Sequence, residues 1–276
     1  MSATTEPLEP TKRPDFFYKY RPLGSDLERQ RLLQIVETSK IYYASPASFN
    51  DPFDCKVPPV GSFDPYFLRY LIAAQNAKSD EDHAEVYWKF LAIGSRTETE
   101  RNAMHADLSA AEYVEFKAFV ERIRHKVNEA GVLSFSAIND NTLMWSHYAD
   151  HHRGVCLGFS LEKWPEMKLA LYPVTYSVQR LPLKFDEQSF RDGRLIQAIA
   201  YTKDQSWCYE QEWRVSGKAP GEFSFPSDAL VGIVFGCMTS DADKARVRRA
   251  VVGRSHVVLY QARMKEKDFG LDILPC

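Results

Sequence analysis

The spacing of apolar side chains changes along the chain, from helical repeats to the alternation that is typical of strands. Residues 26–39 place leucine, isoleucine and valine at helical spacing, with Asp26 as the expected helix cap. Residues 132–138 alternate serine with larger apolar side chains, which predicts a strand. The same criteria predict further strands at 16–21, 40–45, 155–160, 171–177, 210–217, 230–236 and 257–263, and further helices at 141–152, 189–204 and 240–252. Because strands and helices follow one another irregularly, the pattern indicates an α+β fold.

Residues 62–130 differ in character from the rest of the chain, since they are charged, rich in alanine and helical in pattern. Apolar residues form one stripe along the last part of this segment, at Tyr113, Phe116, Val120, Ile123 and Val127. We predict a helical insertion or lid within a single α+β domain that spans residues 15–276. The alternative is that the segment is simply the helical half of that domain. Residues 1–14, rich in proline, threonine and glutamate, are predicted to be a disordered tail.

Composition narrows the class of protein but does not identify it. The 276 residues carry a formal net charge of -2. The overall charge therefore does not indicate a nucleic-acid-binding protein, although a local basic patch could still bind nucleic acid. Five scattered cysteines predict reduced thiols and a cytoplasmic location. We find no secretory signal and no apolar run as long as a membrane span. The motifs of P-loop NTPases, dinucleotide folds and α/β-hydrolases are also missing.

The stretch YEQEWRV brings two carboxylates together in an apolar setting. On a strand, Glu210, Glu212 and Arg214 would share one face, with neighbouring Cβ atoms about 7 Å apart. Burial and mutual repulsion would raise the pKa of both carboxyl groups, and Arg214 could neutralise one of them. Such a pair can hold sugar hydroxyls and stabilise an oxocarbenium-like cation. The alternative is an edge strand whose charged side chains face water.

Two other strands carry candidate ligand-binding residues. The sequence YKYR places Lys19, Tyr20 and Arg21 at the end of an aromatic strand, where the two cations suit a phosphate clamp. Ser134 and Ser136 lie on one face of their strand and can orient a ligand amide or a catalytic glutamate. In both cases the alternative is an exposed surface.

The predicted helix at 141–152 carries further candidates. Trp145 and Tyr148 lie three residues apart, either as core residues or as a wall against which a ring stacks. His147 and His151 are spaced for metal binding, but a third acidic ligand is not well placed and HExxH is absent. We therefore expect no metal site, and we place His147 among the substrate-binding candidates.

The loop SFNDPFD is the last candidate. Asn50 and Asp51 precede a proline in a rigid turn and are substrate-binding candidates. Asp51 and Asp54 could bind the ribose of a ligand or a cation. The alternative is a turn whose side chains bond its own backbone. A separate hypothesis concerns the function of the whole protein. It could be a metal-dependent nuclease, in which Asp51, Asp54, Glu210 and Glu212 would surround a cation.

Three blocks of the sequence resemble a large bacterial family known only as a domain of unknown function. They are ASPASFNDPFD, MWSHYADHHRGVCLGF and YEQEWRV, and the resemblance runs over about residues 17–234. The order of an arginine after an aromatic strand, a Ser-x-Ser strand and a Glu-x-Glu pair is also similar to that of the arginine–serine–glutamate class of ADP-ribosyltransferases. Here these positions are Arg21, Ser134 with Ser136, and Glu210 with Glu212.

The second resemblance implies a bent, split mixed β-sheet core that binds NAD, as a substrate, in its cleft. Arg21, or Lys19 in its place, would hold the diphosphate. Ser134 and Ser136 would support the nicotinamide pocket and the glutamate. The residues expected to contact the rest of the substrate are Asn50, Asp51, His147 and Arg214.

The same resemblance implies separate roles for the two glutamates. Glu212 would hold the ribose 2′-hydroxyl and stabilise the oxocarbenium ion as nicotinamide leaves, and Glu210 would activate the acceptor. The implied partners are NAD, a macromolecular or nucleic-acid acceptor and an antitoxin or other partner protein, in a toxin or phage-defence role. The competing hypothesis is a non-catalytic ligand- or partner-binding module, in which Glu212 pairs with Arg214 and no cleft lies beside them.

Overall fold

The computed structural model describes residues 13–92, 97–104 and 106–276. Residues 1–12 of the predicted disordered tail lie outside the described residues, whereas Arg13 donates a hydrogen bond from Nη2 to the Leu171 carbonyl at 3.2 Å. In the described ranges, no helix combines the length and apolar character needed to cross a membrane. All five cysteines are free.

Strands and helices mix irregularly along the chain, and the predicted α+β class with a large mixed sheet is confirmed. The strands are β1 (Phe16–Arg21), β2 (Lys40–Tyr43), β3 (Val60–Phe63), β4 (Gly131–Ser136), β5 (Val155–Ser160), β6 (Tyr172–Pro173), β7 (Thr175–Ser177), β8 (Leu183–Phe185), β9 (Thr202–Asp204), β10 (Glu212–Lys218), β11 (Gly221–Ser224), β12 (Leu230–Phe235), β13 (Val258–Met264) and β14 (Leu271–Pro275). The helices are α1 (Asp26–Thr38), α2 (Pro65–Asn76), α3 (Asp80–Leu91), α4 (Glu98–Met104), α5 (Ala110–Glu129), α6 (Thr142–Tyr148), α7 (Pro165–Ala170), α8 (Glu187–Arg191), α9 (Arg194–Ala200) and α10 (Asp241–Ala250).

Eight strands form the main sheet, in the order β14-β13-β12-β5-β1-β4-β10-β6. Its neighbours are antiparallel except for the parallel pair β12 and β13. Strand β1 pairs with β5 along its whole length, but its pairing with β4 is at Tyr18 opposite Ser136. Beyond that pair β1 and β4 diverge, which opens the sheet between them toward Arg21.

Strand β10 continues the sheet on the far side of β4, where Glu212 lies opposite Ser136 and Arg214 opposite Ser134. Cross-strand neighbours in a sheet present their side chains on the same face. The pairings of Ser136 with Tyr18 and with Glu212 therefore place β1, β4 and β10 side by side. These are the three strands that carry the candidate motifs.

Two larger hydrophobic cores contain most of the helices that pack in the interior, and a third, smaller core forms around α6. Helix α1, the sheet and α10 bury a core rich in aromatic residues, among them Phe17, Phe135 and Trp213. The predicted helical segment 62–130 forms a second core, in which α2 and α5 pack on β8 and α9. Residues 183–200 therefore belong with the helical segment in space, although they follow it by more than 50 residues along the chain.

Two predicted helices differ from those observed. The predicted helix at 189–204 breaks at Gly193, whose φ of 70° is left-handed, into α8 and α9. Residues 202–204 form β9 instead of a helical end. The first helix is capped by Ser25 rather than by Asp26, because the Ser25 hydroxyl accepts from the Glu28 amide in a capping box.

The predicted helix at 141–152 stops at Tyr148 because a left-handed turn follows it. Asp150, His151 and His152 have φ values of 49°, 52° and 68°. Non-glycine residues rarely adopt this conformation, so the turn is held by its surroundings. Gly154 follows because a Cβ there would lie 2.2 Å from the Arg21 carbonyl oxygen. The turn thus packs directly under the end of β1.

Candidate functional site

A cleft of about 370 Å³ lies in the main sheet where β1 and β4 diverge. Its walls come from these two strands, from β9 and β10, from α6 and from the loop around residue 50. Most of the predicted site residues line it, namely Lys19, Tyr20, Arg21, Asn50, Ser134, Ser136, His147, Tyr148, Glu210, Glu212 and Arg214. Residues from distant parts of the sequence thus meet in one cavity.

The two glutamates do not share a strand face as predicted. Glu210 ends a 3-10 turn, Gln211 has a left-handed φ of 43°, and the strand β10 begins only at Glu212. The prediction is wrong because alternation applies only within a continuous strand. Both carboxylates nevertheless meet at Lys203, whose Nζ contacts Glu210 Oε2 and lies 3.2 Å from Glu212 Oε2.

Arg214 is the most tightly held member of this group, with 1% of its surface exposed. Its Nε and Nη2 donate to both carboxylate oxygens of Glu212, at 2.6 and 2.8 Å. Its Nη1 and Nη2 donate to both oxygens of Asp54, at 2.7 and 2.6 Å. One guanidinium therefore fixes two carboxylates in bidentate geometry, which is the strongest form of this contact. Strand β10 is flanked by β4 and β6, so the alternative of an edge strand facing water is wrong.

We call Asp54, Lys203, Glu210, Glu212 and Arg214 the ion cluster. Its three carboxylates share two cations, so it carries one negative charge when all of its members are ionised. Burial favours the neutral form of Glu212, but Arg214 and Lys203 outweigh burial and hold its pKa well below the usual range. Burial raises the pKa of Glu210 to about 7, against the opposing effect of Lys203. Glu210 is thus the carboxyl group of the cluster that changes charge near neutral pH.

Hydroxyl groups hold both glutamates in place. The Tyr148 hydroxyl donates to Glu210 Oε1 at 2.6 Å, and the Ser136 hydroxyl donates to the Glu210 carbonyl at 2.7 Å. The Ser134 side chain helps to lower the pKa of Glu212 and so favours its ionised form. Ser136 and Tyr148 therefore position Glu210, one through the backbone and the other through the carboxylate.

The β1 side of the cleft is cationic. Arg21 Nε is buried and has no hydrogen-bond partner among the described residues. Burial lowers the pKa of Arg21 to about 10, with a contribution from Arg31, so Arg21 stays charged at neutral pH. Lys19 Nζ donates to the Ser134 carbonyl at 2.8 Å, and burial together with Arg21 lowers its pKa to about 7. The cleft therefore offers a site for an anion on one side and carboxylates on the other.

Two predicted site residues lie outside this cleft. Trp145 is fully buried beneath it, where its Nε1 donates to the Asn139 carbonyl at 2.8 Å and its ring packs edge-on against Tyr20. Trp145 is therefore a core residue and not a wall against which a ligand ring stacks. Asp51 lines a second cavity and accepts a hydrogen bond from the Phe53 amide at 2.8 Å, as a turn residue does.

Lys203 is the functional candidate that the sequence did not reveal. It lies at the end of the predicted helix 189–204, in the stretch YTKD, and one lysine between polar residues gives no signal of burial. Its role depends on the short strand β9, which brings it under Glu210 and Glu212 with 7% of its surface exposed. Only the fold supplies its three carboxylate partners.

The acidic residues are not arranged to hold a metal. Asp54, Glu210 and Glu212 each pair with Lys203 or Arg214, and Asp51 lies apart from them. In residues 13–92, 97–104 and 106–276, no cluster of three or more histidine, cysteine or acidic side chains is placed to bind a metal ion. The arrangement of carboxylates around a cation that the nuclease hypothesis requires is therefore not found in this part of the chain.

A family model described as "Protein of unknown function (DUF2971)" matches residues 144–215. The predicted resemblance to a family known only as a domain of unknown function is thereby confirmed for this part of the chain. The match includes α6 from residue 144 onward, Lys203 and both glutamates but not Arg21. Comparison with curated proteins and with solved structures found no significant match to the chain.

Proposed function

We propose that the protein is an NAD-dependent ADP-ribosyltransferase-like enzyme. It would break the bond between nicotinamide and ribose and transfer the ADP-ribosyl group to an acceptor. We also propose that the main sheet is a bent, split core of the ADP-ribosyltransferase type, which the divergence of β1 from β4 supports. A macromolecular or nucleic-acid acceptor, a partner protein and a toxin or phage-defence role stay predictions.

One observation carries this proposal: Arg21, Ser136 and Glu212 come from three adjacent strands and line one cleft. The sequence suggested these positions from their order alone, while they lie more than 70 residues apart. A cation without a partner suits the diphosphate of NAD, because a buried guanidinium N–H lacking a hydrogen bond is costly unless a ligand supplies one. The carboxylates suit the positive charge that develops on the ribose.

The ion cluster supports different tasks for the two glutamates. Glu212 stays ionised at neutral pH, and Arg214 and Lys203 fix its orientation, so it can stabilise a positive charge in the transition state without rearranging. Glu210 has a pKa near 7 and can therefore accept a proton from the nucleophile at physiological pH. Tyr148 and Lys203 hold its two carboxylate oxygens.

The role of Arg21 is testable with ADP-ribose, which contains the diphosphate but cannot be cleaved at the nicotinamide bond. We expect Arg21→Met to raise the dissociation constant for ADP-ribose by about 10- to 100-fold, because hydrogen bonds to charged groups contribute about 1.5–3 kcal/mol. Isothermal titration calorimetry measures this change. Arg191→Met is the matched control, since Arg191 is 75% exposed on α8 and should bind as the wild type does. Equal affinity of wild type and Arg21→Met would contradict the assignment.

The raised pKa of Glu210 predicts the pH dependence of turnover. A general base acts in its ionised form, and the ionised fraction of a group with a pKa of about 7 falls roughly tenfold for each pH unit below that value. We therefore expect kcat for nicotinamide release to rise from pH 5 to pH 7 and to level off above pH 8. Initial rates in a series of buffers at constant ionic strength test this, and a flat profile from pH 5 to pH 8 would contradict it.

A non-catalytic binding module is the second candidate function, because the Glu212–Arg214 pair that it requires is present. That hypothesis also required that no cleft lie beside the pair, and the cleft is there. A binding module would bind ADP-ribose or NAD without releasing nicotinamide. Measuring binding and release on the same preparation separates the two functions.

A further inference from the structure

We infer that the acceptor in this cleft is water, so that the protein hydrolyses NAD to ADP-ribose and nicotinamide. This inference rests on the NAD-cleaving function proposed above and specifies its second substrate. It differs from the macromolecular acceptor that the family resemblance implies.

The first support is the burial of the candidate base. Glu210 has 3% of its surface exposed, and both of its carboxylate oxygens already have partners, Tyr148 and Lys203. A protein side chain or a nucleobase that used this base would have to reach a carboxylate enclosed by a tyrosine, a lysine and the β10 strand. A water molecule needs only room for one oxygen atom and two or more polar partners.

The size of the cleft gives the second support. Small-molecule sites commonly have volumes of about 300–1,000 Å³. At about 370 Å³, this cleft is near the lower limit, so bound NAD would fill it. Little room would then remain beside Glu210 for a second large ligand.

A second cavity supplies the third support. It measures about 150 Å³ and shares Asp54 and Lys203 with the cleft, so a wall containing these two ion-paired residues separates the two spaces. Its other lining combines polar side chains, including Ser177, Gln179 and Asp204, with apolar ones such as Phe53 and Leu181. A cavity needs about 10–15 Å³ of such volume to hold one water, so this one has room for several beside the ion cluster. The polar groups of its lining can supply the hydrogen bonds that such waters need.

The reaction balances without any further reactant. The bond between ribose C1′ and the nicotinamide nitrogen breaks, and its electron pair leaves with nicotinamide, which becomes neutral. Glu212 faces the positive charge that develops at C1′. The oxygen of water then bonds to C1′, and one of its protons passes to the Glu210 carboxylate, which later releases it to solvent.

The decisive experiment follows the fate of the ADP-ribosyl group in wild-type protein. NAD labelled in its adenylate is incubated with the protein alone, with poly-arginine, and with a single-stranded oligonucleotide of mixed sequence. We expect free ADP-ribose to equal released nicotinamide in all three reactions, with no label in the precipitated polymer or in the protein. Nicotinamide in excess of free ADP-ribose, with label in the protein or a polymer, would overturn the inference and leave the NAD-cleaving function intact. No nicotinamide release at all would overturn both.

The variant Glu210→Gln tests the proton transfer to the base separately from the cleavage of the nicotinamide bond. We expect Glu210→Gln to slow hydrolysis by about 10²- to 10⁴-fold, the usual contribution of a general base. Exchange of labelled nicotinamide into NAD should be reduced much less, because the returning nicotinamide nitrogen carries no proton to remove. If both reactions fall by the same factor in a folded variant, Glu210 does not act on water. The wild-type stoichiometry decides the question if this variant does not fold.

Discussion

Replacing Arg214 with alanine is expected to destabilise the protein by about 3–5 kcal/mol, the effect measured when one partner of a buried ion pair is removed. The side chain is 1% exposed and donates to both oxygens of Asp54 and of Glu212. Alanine would leave these two carboxylates buried beside Glu210 with Lys203 as their remaining cation. Mutual repulsion and lost hydrogen bonds then both oppose folding.

Urea denaturation of both proteins, followed by circular dichroism, measures this loss directly. Arg191→Ala is the matched control, because Arg191 pairs with Glu187 on the surface of α8 and is 75% exposed. Surface pairs of this kind contribute about 0–1 kcal/mol, so the control should unfold close to the wild-type midpoint. A loss of less than 1 kcal/mol for Arg214→Ala would show that the ion cluster does not hold the site together.

Glu212→Gln is expected to lower kcat for nicotinamide release by about 10²- to 10³-fold, as removal of one preorganised charge-stabilising group does elsewhere. Glutamine keeps the shape of the side chain and one acceptor oxygen, but it carries no charge to meet the cation that forms on ribose. Because this interaction is made in the transition state, KM should change less than kcat.

The control for this variant is Glu162→Gln, since Glu162 is exposed and lies outside the residues that line the cleft. Its rate should equal that of the wild type. Melting temperatures of all three proteins separate a catalytic effect from unfolding, because Glu212 also accepts from Arg214. If Glu212→Gln is folded and turns over within threefold of the wild type, Glu212 does not stabilise the transition state.

The local patterns of the sequence were sufficient to predict β1 and β4, two of the strands that carry the site. The alternation around Ser134 and Ser136 predicted β4, and the aromatic run before Arg21 predicted β1. Within a strand, side-chain direction follows from the backbone, so these elements need little information from the rest of the chain. The pairing of β1 and β10 with β4 depends on contacts between residues far apart in sequence, and no local pattern predicts it.

The parts of the site that the sequence did not predict depend on tertiary structure. Gln211 turns left-handed between the two glutamates, so Glu210 reaches the ion cluster from a 3-10 turn. Lys203 is buried because three carboxylates from separate segments surround it. From its position on a helix, Trp145 could be either a core residue or a wall of the binding site. The structure shows that it is a core residue, because α6 is buried against the sheet. The burial of Lys203 and of Trp145 depends on contacts between segments that are far apart in the sequence.

The measurement that tests the central claim most directly is the release of nicotinamide from NAD by the wild-type protein at pH 8, followed by chromatography. We expect a release that grows with time and in proportion to protein concentration, from a cleft that also binds ADP-ribose. No release at millimolar NAD, from protein that is folded by circular dichroism and whose melting temperature ADP-ribose does not shift, would contradict an NAD-cleaving site between β1 and β10.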